Sequence, residues 1–101
     1  MYTFQETSAS ELIISLSERL KQRRLEKGIT RDSLSAMSGV PTPTITKFER
    51  EHTISLKQYL SLCIAMGYTS DIQDIMLQPK YKTIEELEQI NRNKNRRRGH
   101  N

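Results

Sequence analysis

The stretch RDSLSAMSGVPTPTITKFER, from Arg31 to Arg50, constrains this chain more than any other. Its apolar, small and glycine residues fall at spacings that a short helix, a tight turn and a second helix require. With Arg31 as the first position, Leu34 is fourth, Ser35 fifth, Gly39 ninth, Val40 tenth, Ile45 fifteenth and Phe48 eighteenth. Leu34 lies on the first helix and Ile45 and Phe48 sit at i, i+3 on the second, so all can face one core with Val40 between them. Ser35 is small where two helices approach closely. Gly39 stands where the chain leaves the first helix, a place that calls for positive φ, which glycine adopts without a Cβ penalty.

These are the requirements of a helix-turn-helix. An unrelated αα-hairpin would also want apolar positions around a glycine turn, so the face left over has to decide between them. On the second helix that face carries Thr42, Pro43, Thr44, Thr46, Lys47 and Arg50, with no acid before Glu49. Short polar and basic groups suit base edges and phosphates. An ordinary solvated face mixes both signs.

At 101 residues the chain is one domain by size. Its net charge of +4 is misleading, because five of the 16 basic residues (Arg92, Lys94, Arg96, Arg97, Arg98) lie in an acid-free end beginning at Asn91. The chain through Ile90 is therefore slightly acidic, and the basicity alone does not make the folded part a nucleic-acid binder. A single cysteine, Cys63, excludes an internal disulfide framework and a clustered-cysteine metal site. Within an apolar helical run it reads as a small buried hydrophobe in a reducing cytoplasm. No apolar run is long enough to span a membrane, and MYTFQETSAS lacks the pattern of a signal peptide. The two histidines, His52 and His100, are not paired with carboxylates at ligand spacing, and there is no Gly-rich phosphate loop. No catalytic centre, metal or cofactor is expected.

In chain order, residues 1–8 form an arm closed by Ser8, which caps a helix in a capping box with Glu11. Leu12, Leu16 and Leu20 share a face of that helix, with Arg23 and Arg24 nearby, and Gly28 ends it. Thr30 caps the next helix, which runs to about Ser38. Arg31 then sits in a first turn, where a cation opposes the helix dipole unless an anion is near; a DNA phosphate or plain solvent exposure both fit. The next helix begins at Pro41 or Thr42, since proline is tolerated in a first turn. After it, His52 is read as solvated on a loop. Ser55 caps a helix reaching Gly67 with Leu56, Tyr59, Leu60, Cys63, Ile64 and Met66 as its apolar stripe. Ser70 opens a short helix whose Ile72, Ile75, Met76 and Leu77 serve either a subunit interface or the core. The boundaries expected are a domain over residues 9–77 and an extension over residues 78–101. In the extension, Thr83 and Glu86 cap a short helix with Ile84, Leu87 and Ile90 on one face, and the polar run from Asn91 is too hydrophilic to order itself.

From about Leu16 to Gly67, LSERLKQRRLEKGIT, the Arg31–Arg50 motif and SLKQYLSLCIAMG together resemble the five-helix DNA-binding domain of the Cro and lambda-repressor, or XRE, family. The resemblance implies an all-α fold with the short C-terminal helix and basic disordered tail as additions. It also implies a structural ion pair between Arg24 and Glu49, which sit where the family joins its first helix to its recognition helix. The chain departs from the family at Arg31, usually glutamine, at Ser35, usually alanine, and at Glu51, where a glycine commonly follows the recognition helix. Farther on, FERE, ISLKQYL, MGYTSDIQDI, a proline break, TIEELEQ and an arginine-rich end are similar in order to HipB-like antitoxins encoded beside HipA-type kinase toxins.

The function expected is that of a sequence-specific transcriptional repressor binding double-stranded DNA at a palindromic operator as a homodimer. The resemblance adds autoregulation of an operon with a HipA-type kinase toxin as partner. Thr42, Pro43, Thr46 and Lys47 are expected on base edges, and Arg31, Thr44 and Arg50 on phosphates. An XRE-type regulator without a toxin, or an interaction protein that chiefly neutralises or scaffolds a toxin, are the alternatives.

Overall fold

A computed structural model describes residues 7–96, and among these it contains six helices and no strand. They are α1 (Ala9–Glu26), α2 (Arg31–Ser38), α3 (Thr42–Glu51), α4 (Leu56–Ala65), α5 (Thr69–Gln73) and α6 (Ile84–Arg96). The chain divides into two compact units, one ending at Thr69 and the other beginning at Ser70.

Local chemistry sets the helix starts of the first unit. Ser8 accepts from the Glu11 N–H while Glu11 Oε1 accepts from the Ser8 N–H, a complete capping box. Thr30 caps α2 through the Ser33 N–H, and Ser55 caps α4 through the Gln58 N–H. Gly39 closes α2 at φ 79°, in the left-handed region that the motif reserves for glycine. At the end of α3 the residue that turns left-handed is His52, at φ 61°, one position beyond Glu51. A histidine, not a glycine, thus makes the left-handed turn that ends α3.

The core draws on every long helix of this unit: Leu20 from α1, Leu34 from α2, Val40 from the turn, Ile45 and Phe48 from α3, Leu62 from α4 and Met66 from its C-cap. The four apolar positions of the motif are all nearly solvent-free. Phe48 meets Tyr59 edge-on at 5.7 Å between ring centroids, a favourable quadrupolar arrangement.

Two helix faces differ from the sequence pattern. The buried side of α1 is Ser17, Leu20 and Arg24, whereas Leu12 is 46% exposed. Helix α1 is about 27 Å long, against about 15 Å for α3, on which it packs, so its early turns outreach that neighbour. On α4 the buried residues are Leu62 and Cys63, joined by Met66 at its C-cap, while Leu56 and Ile64 are exposed. That helix is apolar around most of its circumference, so periodicity did not choose a face; packing against α2 did.

Helix α5 has only five residues and begins at Thr69, the last residue of the first unit, so Ser70 lies inside it and is not its cap. Thr83 accepts from the Glu86 N–H to start α6, and Glu86 accepts from the Lys82 N–H. Helix α6 runs through Arg96, where the composition of Asn91 onward suggested disorder. Side-chain bonds from Gln89 to Asn93, Arg92 to Gln89 and Arg96 to Asn93 stitch that end along its own surface. Residues 97–101, including Arg97 and Arg98, lie outside the described residues.

Because Leu34 is fully enclosed at the meeting point of α2, α3 and α4, Leu34→Ala is expected to destabilise the chain by about 2–5 kcal/mol. Urea denaturation followed by circular dichroism measures it; a loss under about 1 kcal/mol would mean the core is not organised on this residue.

Candidate nucleic-acid interface

Helix α3 divides into two faces by burial. Ile45, Phe48 and Glu49, at i, i+3 and i+4, point inward, and Pro43, Lys47 and Arg50, at i, i+4 and i+7, are exposed on the opposite side. Thr42, Thr44 and Thr46 are half-buried along the flanks. The amino end of α3 has Pro41 as its cap residue, with no side-chain cap bond and no acid in the first turn. Its positive dipole end is therefore not neutralised by its own sequence, and the carboxylate beside it is that of Asp32 on α2.

Helix α2 supplies one direct tie to that end: the Thr42 Oγ1 hydroxyl donates to Asp32 Oδ1 at 2.8 Å. This contact joins the second residue of α2 to the first of α3. Nothing in the sequence pattern signals it, since the two residues are ten apart and neither belongs to the apolar framework.

Behind α3 lies an ionic centre. Arg24 of α1 donates from Nε to Glu49 Oε2 at 2.8 Å and from Nη2 to Oε1 at 3.0 Å, while its Nη1 bonds the Ile29 carbonyl at 2.9 Å. The Glu49 side chain is 1% exposed and also accepts from Arg31 Nε at 2.9 Å. One carboxylate thus joins α1, α2 and α3. Burial pushes the Glu49 carboxyl up, but hydrogen bonds and charge from both arginines outweigh it and hold the carboxyl below its ordinary value of 4.5. The anion that a cation in the first turn of α2 requires is supplied by the fold itself. Only Nε of Arg31 is so engaged among the described residues, and its side chain remains 29% exposed.

His52 is not the solvated loop residue that the sequence suggests. It is half-buried, with Nδ1 2.6 Å from Ser17 Oγ. Ser17 gives its own proton to the Ile14 carbonyl at 2.9 Å, so its oxygen accepts from an Nδ1–H of His52. The contact anchors the left-handed end of α3 to α1.

Arg50 is exposed near the carboxyl end of α3, beside the equally exposed Glu51. In the second unit Ile72 is half-buried on α5, whereas Ile75, Met76 and Leu77 follow it exposed, Met76 at 89%. Cys63 is buried, and burial pushes its thiol up, partly opposed by a hydrogen bond with Tyr59, so it is not a reactive thiolate. Among the described residues no three His, Cys, Asp or Glu side chains gather as a metal site, and no helix is long and apolar enough to cross a membrane.

A family model described as helix-turn-helix matches residues 20–73, more than half of the chain and all of α2, α3 and α4. No curated protein matches the chain.

Glu49→Gln is expected to lower stability at neutral pH, since it leaves Arg24 buried without its counter-charge; uncompensated buried charges cost about 3–5 kcal/mol. A carboxyl held below its unfolded value stabilises the fold above that value and ceases to do so as pH falls through the folded one. The stability gap between the native chain and Glu49→Gln should therefore be widest above about pH 4.5 and close in acid, as urea titrations at several pH values can measure. A gap independent of pH contradicts this assignment.

Proposed function

The chain belongs to the helix-turn-helix family, and on that premise we propose that it is a sequence-specific DNA-binding regulator of transcription. The observation that carries the reading is the division of α3, whose inner face is locked by Ile45, Phe48 and Glu49 while Pro43, Lys47 and Arg50 stand free on the other. A helix so mounted can enter a major groove by its amino end. Pro43 and the methyls of Thr42 and Thr46 suit a thymine methyl, and Lys47 suits guanine O6 and N7. Thr44, Arg50 and the terminal nitrogens of Arg31 would take phosphates, with Arg31 held in place by its Nε bond to Glu49.

One such module buries little surface, so a homodimer on a palindromic operator is part of the proposal, with half-sites roughly 34 Å apart. Ile72, Ile75, Met76 and Leu77 are the proposed subunit contact, supported by the exposure of the last three. The finer reading is an autoregulatory antitoxin paired with a HipA-type kinase toxin in the cytoplasm. Its support is the arrangement of the C-terminal third of the sequence. The same exposed apolar run equally favours a second reading, in which the chain chiefly holds a protein partner and DNA binding is secondary.

Lys47→Ala should relax base preference at one position of each half-site, costing about 1–3 kcal/mol on the preferred duplex. Binding to promoter duplexes of the chain's own operon at low ionic strength measures this. Uniform weakening on every sequence would make Lys47 a phosphate contact, and no binding to any duplex would remove the function proposed.

Replacing Arg92, Lys94, Arg96, Arg97 and Arg98 by glutamine should flatten the salt dependence of DNA binding by up to about five counterions per chain. An unchanged slope places these cations away from DNA.

A further inference from the structure

Thr42 enters the proposed interface with its hydrogen-bonding already half decided. A hydroxyl has one proton and two lone pairs, and the proton of Thr42 is given to Asp32 Oδ1 at 2.8 Å. What remains at the amino end of α3 is a pair of lone pairs beside a carboxylate, a unit that accepts and does not donate. Neither residue belongs to the core, and Asp32 is exposed on α2, so the contact is not needed to bury apolar surface.

In the major groove, guanine presents two acceptors, N7 and O6, and thymine an acceptor and a methyl group. Adenine and cytosine present amino groups, N6 and N4. An acceptor-only unit with negative charge behind it attracts the amino edges and is repelled by the guanine edge. We propose that Asp32 is a positioning residue that holds the Thr42 hydroxyl as an acceptor, so that this end of α3 selects adenine N6 or cytosine N4 at one base pair of each half-site. The assignment rests on the DNA-binding reading and adds to it which chemical edge is chosen and by which residue outside the recognition helix. It also separates the work of two neighbours: Lys47, a donor, takes guanine, and Thr42, an acceptor, takes the opposite class of base.

The test is selection of bound sequences from a randomised duplex library by the full chain, compared among the native protein, Asp32→Ala, Thr42→Val and Thr42→Ser, with melting temperatures measured alongside. The native protein should favour one base pair at one position of each half-site by about ten-fold, the usual effect of one mismatched pair, and a selected duplex whose adenine N6 or cytosine N4 amino group at that pair is replaced by hydrogen should lose that preference. In Asp32→Ala the freed hydroxyl can turn and donate, and in Thr42→Val it is absent; both should cut that preference to less than about three-fold at that pair alone. Thr42→Ser keeps the hydroxyl on Asp32 and should keep the preference. If Asp32→Ala retains the native profile and only melts earlier, the contact is a structural tie and the proposal is overturned. Unchanged binding to the duplex that lacks that amino group at the pair Thr42→Val alters overturns it as well. Enrichment of no sequence by the native protein refutes the DNA-binding reading, and this inference with it, whereas native enrichment with unaltered variants refutes this inference alone.

Discussion

A single carboxylate, that of Glu49, carries the connection between the scaffold and the helix that would read DNA. It is almost wholly buried and accepts from two arginines on two other helices, with a third bond from Arg24 reaching the Ile29 carbonyl in the α1–α2 connection. Taking such charges out of water is costly, and the cost is offset only when each polar atom finds a partner. Here the geometry meets that demand. The apolar core would accept several orientations of α3 that bury Ile45 and Phe48, since the hydrophobic effect is non-directional. A bidentate ion pair is not so permissive, and it selects one rotation of the helix about its axis.

That rotation decides what the outside presents. With Glu49 turned inward, Pro43, Lys47 and Arg50 face outward and the three threonines lie along the flanks. The second arginine on the same carboxylate, Arg31, is positioned at the start of α2 by the same interaction, so interior electrostatics extend to the surface. His52 and Ser17 secure the far end of α3 to α1, where the chain takes a left-handed residue without a glycine. The first residue of the helix, through Thr42 and Asp32, and its last turn and cap, through Glu49 and His52, are therefore held by polar contacts of defined geometry over a generic apolar base.

The second unit follows a different logic. Helix α6 is stabilised by its cap and by bonds along its own surface, and much of the unit's apolar side-chain area, at Ile75, Met76, Leu77, Tyr81 and Ile84, is exposed. Surface of that kind is characteristic of chains that complete their burial against another molecule.

Read in one dimension, the chain already determined its first four helices, its motif and the residues of its central core, but not the start of α5 or the reach of α6 through Arg96. Caps, glycine turns and apolar spacing are local or periodic signals, and Ser8, Thr30, Gly39, Ser55, Leu34, Ile45 and Phe48 all behave accordingly. Pairing Arg24 with Glu49 was legible only through family resemblance, because nothing in spacing relates residues 25 apart. Tertiary structure alone decided which side of α4 is buried, that His52 rests on Ser17, that Arg31 shares Glu49 and that Asp32 holds Thr42. Each depends on two segments meeting at hydrogen-bond distance, and directional contacts between distant residues leave no periodic trace in the order of the amino acids.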